Sequence, residues 1–201
     1  LEFRRVLFRS GTLDGIFVTD VQEIDGEIWH TVEAPLEPGK TVVGKLDFEK
    51  RFSNMQNHCG EHIVSGIVHR IYGFNNVGFH MGSDVITVDF DGVLTEEQLY
   101  DVEQEANEAV LRNVPVTISY PSKEELETMD YRSKKEIEGQ VRIVTIEGYD
   151  SCACCGTHVA KTGEIRLIKI LSAQKYKGGV RVTMLSGEKA YADYCLKHIN
   201  T

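Results

Sequence analysis

Two pairs of side chains in this sequence carry metal-ligand chemistry. His58 and His62, in Asn57-His58-Cys59-Gly60-Glu61-His62, stand four residues apart, so on a helix their imidazoles lie one above the other on one face. Far downstream, Cys154 and His158 in Cys154-Cys155-Gly156-Thr157-His158 repeat that spacing with a thiol and an imidazole. Such a set suits Zn²⁺, which takes nitrogen and sulfur donors. Each pair alone has an ordinary explanation, as hydrogen-bonded polar residues near a helix start or as a tight small-residue loop. Together they predict one metal site. Because 92 residues separate His62 from Cys154, only the folded chain can close it.

Glu61 makes His58-Cys59-Gly60-Glu61-His62 an H-x-x-E-H sequence, the pattern of inverted zinc peptidases in which the glutamate activates water. Glu61 is therefore a candidate general base, with a hydrogen-bonded helix glutamate as the alternative. A thiolate as fourth ligand leaves less room for an exchanging water than a carboxylate site would. Cys59 points away from the His58–His62 face, and Cys152 and Cys155 read as small buried residues beside the ligand loop. His69 and His80 read as surface or hydrogen-bonding histidines.

The elements that must position these donors follow from the pattern. Residues 53–72 read as a helix, with Ser53 as N-cap and Gly73 as stop. Ile63, Val64, Ile67, Val68 and Ile71 form its buried stripe, while His58, His62, Ser65 and His69 form a second one facing a pocket. Before it, residues 11–47 read as a small antiparallel sheet or partial barrel, with turns at Asp14-Gly15, Asp25-Gly26 and Pro38-Gly39. After it come a Gly-rich segment at 73–82, a strand at 85–90, and a helix at 95–112 capped by Thr95. A strand at 116–120, a short acidic helix from Pro121-Ser122 and a strand at 141–146 lead to the Cys/His loop. A hairpin of strands 164–174 and 180–185 around Lys177-Gly178-Gly179 and a closing helix at 188–198 complete an α+β plan.

Composition narrows the class. The chain has 201 residues, 41% of them hydrophobic, enough for one large domain or a main domain with a small appendage. Its formal charge of −9 means that any nucleic-acid contact needs a local basic patch, for which Lys169, Lys175, Lys177 and Arg181 are the candidates. Five cysteines, four of them at Cys59, Cys152, Cys154 and Cys155, make a poor disulfide framework and fit reduced thiols in a cytoplasmic metal protein. No apolar run reaches the roughly 20 residues that span a bilayer, so no membrane partner is expected. The first ten residues, with three arginines, read as vector-derived or otherwise non-native sequence.

The H-x-x-x-H pair at His58 and His62, followed by Cys154-x-Gly-Thr-His158-Val and Thr162-Gly163-Glu164-Ile165, resembles the editing domain of alanyl-tRNA synthetases and its free-standing relatives of the AlaX type. Threonyl-tRNA synthetases carry a similar domain. The resemblance spans about residues 11–195. It implies a small β-rich N-terminal lobe at 11–50, an α+β zinc-binding editing core at 51–201, and His58, His62, Cys154 and His158 as ligands of Zn²⁺. It further implies hydrolysis of tRNA(Ala) wrongly charged with serine or glycine. In such a site Glu61 and Thr157 would be the catalytic candidates, with His80, Gly82, Lys175 and Lys177 binding substrate. Two features depart from the family pattern. Glu61 stands where a hydroxyl residue is usual, and the Gly-Gly-Gln loop expected before Leu13-Asp14-Gly15 gives way to the first ten residues, so the chain reads as N-terminally truncated.

Overall fold

A computed structural model of the chain describes residues 11–133 and 139–199. The non-native reading of residues 1–10 falls outside the described residues. The chain divides into two compact units, one ending at Phe52 and the other beginning at Ser53, and its helices and antiparallel sheets make an α+β fold.

The first unit is built from β1 (Gly11–Leu13), β2 (Ile16–Ile24), β3 (Glu27–Val32) and β4 (Gly44–Leu46), in the order β3-β2-β1-β4. Its two hairpins turn at Asp14-Gly15 (φ 49° and 84°) and Asp25-Gly26 (φ 51° and 81°). Paired left-handed residues match the right-handed twist of the strands they join, and an Asp-Gly pair adopts them at little cost.

Helix α1 spans Phe48–Tyr72. It begins five residues earlier than the Ser53 cap expected from sequence. Asp47 is the cap that wins: its carboxylate accepts from Lys50 N at 3.1 Å and its carbonyl from Arg51 N. Ser53, now inside the helix, has a buried hydroxyl without a partner among the described residues.

Two antiparallel sheets form the second unit. One has the order β10-β11-β6-β5, from β5 (Asn76–Met81), β6 (Ile86–Phe90), β10 (Ile168–Tyr176) and β11 (Gly179–Ser186). The other is β7 (Val116–Ser119), β8 (Ile143–Ile146) and β9 (Asp150–Ala153). Helix α2 (Glu96–Arg112) carries the capping box expected at Thr95, closed by Gln98, and α3 (Lys123–Thr128) is capped by Ser122. Helix α4 (Glu188–Ile199) follows β11. Residues 73–82 contribute a strand where sequence suggested an irregular segment, because pairing with β6 outweighs the low strand propensity of Asn and Gly. Residues 162–165 form a 3₁₀ turn instead of the start of the hairpin, since the Glu164 carboxylate accepts from Ala160 N and Lys161 N.

From Gln56 to Val68 every residue of α1 except His58 is buried. Two glycines allow this close packing. A methyl at Gly60 would stand 2.0 Å from Ser186 Oγ, and one at Gly66 would stand 2.2 Å from the Tyr149 carbonyl. The end of β11 and the entry to β9 therefore press against the helix backbone. Gln56 and Asn57 bind the strand end: Ser186 N donates to Asn57 Oδ1 at 3.0 Å, and Glu188 N to Gln56 Oε1 at 3.2 Å. The second histidine stripe is thus deeper than expected, with His62 and Ser65 fully packed.

Candidate metal centre

The fold places His58 and His62 on α1 against the loop that leaves β9. That loop is held by backbone bonds and by Arg142, whose Nη1 donates to the carbonyls of Cys154 (2.7 Å) and Gly156 (3.1 Å). One donor atom from each of His58, His62, Cys154 and His158 lies within 4.8 Å of all the others. The imidazole rings are packed together, His58 on His158 at 4.5 Å and His62 on His158 at 4.9 Å between centroids.

In His58 and His62 the ring nitrogen that faces away from this point has a partner. His58 Nδ1 meets the Thr157 carbonyl at 3.2 Å, which turns Nε2 toward the Cys154 sulfur at 3.5 Å. His62 Nδ1 meets Asp150 Oδ2 at 2.7 Å. Both ring nitrogens of His158 are buried without a hydrogen bond of ordinary geometry. Buried polar atoms rarely go unmatched, and a cation among three imidazoles and a thiol would account for this one. The donor set and its spacing fit a zinc ion.

Burial and neighbouring charges set the protonation of these groups. Burial alone would raise the Cys154 thiol, but His158, His58 and His62 overcome it and bring the group down to about 2, so it is a thiolate. Burial pushes the Cys59 and Cys152 thiols up to about 12, leaving them neutral. Burial also lowers His158, to about 4 against the pull of Cys154, so that it stays an unprotonated donor. Opposing its own burial, the bond to Asp150 and the Cys154 thiolate hold His62 high, at about 10.

The other sequence candidates lie around this point. Thr157 supplies the carbonyl that orients His58. Glu61 is 3% exposed, and its carboxylate accepts from Ser65 Oγ at 2.7 Å and from Asn76 Nδ2. Phe79, not picked out by sequence, lies flat on His58 at 5.7 Å and 11°. His80 follows it on the opposite, exposed face of β5, and Gly82 N closes the turn onto the Val85 carbonyl at 3.0 Å. Lys175 and Lys177 are exposed at the β10–β11 turn. Of the other two cations in the expected basic patch, Lys169 is paired with Glu103 and Arg181 with Asp89, both at 2.6 Å. Asp150 and Arg132 were also missed, and no local pattern marks either of them.

Comparison with known proteins fits this geometry. Residues 141–183, which hold β8, β9 and the Cys154–His158 loop, match the family described as the threonyl and alanyl tRNA synthetase second additional domain. The chain is 36% identical over 177 residues to alanyl-tRNA editing protein Aarsd1-A of Xenopus laevis, covering 86% of this chain and 43% of that protein. It is 34% identical over 172 residues to Aarsd1 of Mus musculus, covering 83% and 42%. Over most of its length the chain is thus similar to synthetase editing domains and to the editing proteins related to them. An alanine–tRNA ligase of Methanothrix thermoacetophila is a further relative, 34% identical over 197 residues, which are 93% of this chain and 21% of the ligase. The chain thus spans less than half the length of the relatives it matches. No helix among the described residues is long and apolar enough to cross a membrane.

Proposed function

We propose that this chain is a zinc-dependent deacylase that edits tRNA(Ala) in trans, cleaving the ester to a wrongly attached serine or glycine. The observation that carries the reading is the convergence of His58, His62, Cys154 and His158 in a chain whose relatives are named alanyl-tRNA editing proteins. These four residues would hold zinc, within residues 51–201 as the editing core and with 11–50 as an accessory lobe. Zinc bound there supplies a Lewis acid for the ester carbonyl or an anchor for the substrate amine.

The chain's own residues do the rest of the work in this reading. Phe79, which lies on His58, and the Thr157 segment would wall the site, the Thr157 hydroxyl would meet the substrate, and His80 and Gly82, which follow Phe79 in the chain, would bind the terminal ribose. Lys175 and Lys177 would meet backbone phosphates, as an acidic protein must bind RNA through a local basic patch. A separate hydrolytic site is physically useful here, because an apolar pocket discriminates poorly against an isostere that adds a hydroxyl. The cytoplasm is the compartment we assign, where five free cysteines stay reduced.

The alternative of a peptidase with Glu61 as base is less well supported. That carboxylate is buried and bonded to Ser65 and Asn76. The discriminating experiment is deacylation of seryl- and alanyl-tRNA(Ala) by the native chain and by Glu61→Gln. Faster loss of serine than of alanine, largely kept in Glu61→Gln, is the expected result. Peptide cleavage that Glu61→Gln abolishes, with charged tRNA left intact, would overturn the proposal.

A further inference from the structure

Behind His62 lies a second group of charged side chains that the sequence pattern does not contain. The His62 and Asp150 side chains are 3% and 1% exposed. Asp150 Oδ2 accepts from His62 Nδ1 at 2.7 Å and from Arg132 Nη2 at 2.9 Å, while Oδ1 accepts from Arg132 Nε at 2.7 Å. A buried carboxylate held by two cation-capable partners has no freedom to rotate. Arg132 is itself anchored by main chain: its N–H donates to the Ser151 carbonyl at 2.8 Å and its carbonyl accepts from Ala153 N at 2.9 Å. Residue 132 is thus added alongside β9, in a parallel bridge to Cys152. Gly66, one turn beyond His62 on α1, has no side chain to keep this carboxylate away, since a methyl there would stand 2.8 Å from Asp150 Cβ.

We infer that Asp150, backed by Arg132, is a positioning residue that fixes the ring of His62 with Nε2 aimed into the four-donor cluster. The inference rests on the zinc reading proposed above. An imidazole on a helix can rotate about its χ2 bond and present either nitrogen. The Asp150 bond selects one rotamer and commits Nδ1 as the donor, leaving Nε2 as the nitrogen that gives up its proton to a metal ion in the cluster. Arg132 keeps the carboxylate from turning away and offsets its charge, so that Asp150 orients His62 without adding net negative charge beside the Cys154 thiolate. Of the three imidazoles, His58 is oriented by a backbone carbonyl and His158 has no such partner. Loss of the Asp150 contact would therefore remove the one side-chain hydrogen bond among the described residues that orients a ring of the set. Outer carboxylates of this kind are worth about 10–100-fold in metal affinity.

The test is zinc affinity, by competition with a chromophoric chelator, together with the visible spectrum of the Co²⁺-substituted protein. It compares the native chain with Asp150→Ala, Asp150→Asn and Arg132→Met. Asparagine can keep a carbonyl oxygen at the Oδ2 position, and with it the bond to His62. Asp150→Ala is expected to weaken zinc roughly 10–100-fold and shift the Co²⁺ bands, with Asp150→Asn restoring most of the affinity and Arg132→Met falling between. Circular dichroism of the metal-free variants separates this from a failure to fold. If Asp150→Ala does not fold, the comparison of Asp150→Asn with Arg132→Met decides. Native affinity and spectrum in Asp150→Ala, or an asparagine variant as weak as the alanine one, would overturn the inference while leaving the zinc site standing. A native chain that takes up no zinc would overturn the zinc reading itself, and this inference with it.

Discussion

Replacing Gly156 by alanine is expected to cost the protein its metal while leaving its fold in place. The added methyl carbon would stand 2.2 Å from Cε1 and 2.7 Å from Nδ1 of His58. To reach ordinary contact the ring must retreat by about 1 Å. It has nowhere to go: Phe79 lies on it at 5.7 Å, His158 at 4.5 Å, and Thr157 holds Nδ1. Ligand-to-metal distances tolerate deviations of only about 0.2 Å, so a shift of this size removes His58 from the set. We expect zinc affinity to fall at least ~100-fold, about 2.8 kcal/mol. Chelator competition measures this directly. The control is Gly92→Ala, whose methyl would meet the Phe74 ring at 2.3 Å, at the Asn76 end of the β5–β6 hairpin. That variant is expected to lose roughly 1–3 kcal/mol of stability by overpacking and to keep its zinc affinity. A Gly156→Ala protein that binds zinc like the native chain would refute the packing argument.

Two further predictions concern charge. In metal-free protein the Cys154 thiol is lowered from 9.0 to about 2, so its contribution to stability is full above pH 9 and is lost as the pH falls. His62 is raised from 6.5 to about 10, so its contribution is full below pH 6.5 and is lost as the pH rises through 10. His158 is lowered from 6.5 to about 4, so its contribution is present above 6.5 and lost toward 4. Between pH 6.5 and 9 the Cys154 and His62 trends cancel. The melting temperature of chelator-treated protein is therefore expected to be flat across that range and to fall on both sides. A steady climb from 6.5 to 9 would contradict the assignment of opposite charges to this pair. At the β10–β11 turn, the double variant Lys175→Glu/Lys177→Glu is expected to weaken tRNA binding and reduce its salt dependence, with zinc content unchanged. Binding titrations at several salt concentrations check this, and an unaltered salt slope would remove the hairpin from the interface.

What the sequence made legible was local. The four-residue spacing within each donor pair, the capping box at Thr95 and the Asp-Gly turns each follow from a few neighbouring residues, and all are present in the structure. The boundaries that shifted did so where two local signals competed, as at the start of α1, where Asp47 and Ser53 are both good caps and the aspartate is the one that bonds Lys50 N. The parts that stayed hidden are long-range. Nothing adjacent in sequence marks Asp150, which meets α1 only where the helix packs against it at Gly66. Arg132 likewise reaches Asp150 only because its segment is added alongside β9. Phe79 gains its place over His58 only through the pairing of β5 with β6. Likewise, Lys169 and Arg181 read as free basic residues because Glu103 and Asp89, which neutralise them, lie 66 and 92 residues away.

The most direct test of the account is the metal content of the purified chain beside that of Cys154→Ala, measured by mass spectrometry without added metal. About one zinc per native chain and a marked loss in the variant are expected, because the thiolate is the only anionic donor of the four. Native protein with all four donors intact and no zinc would contradict it.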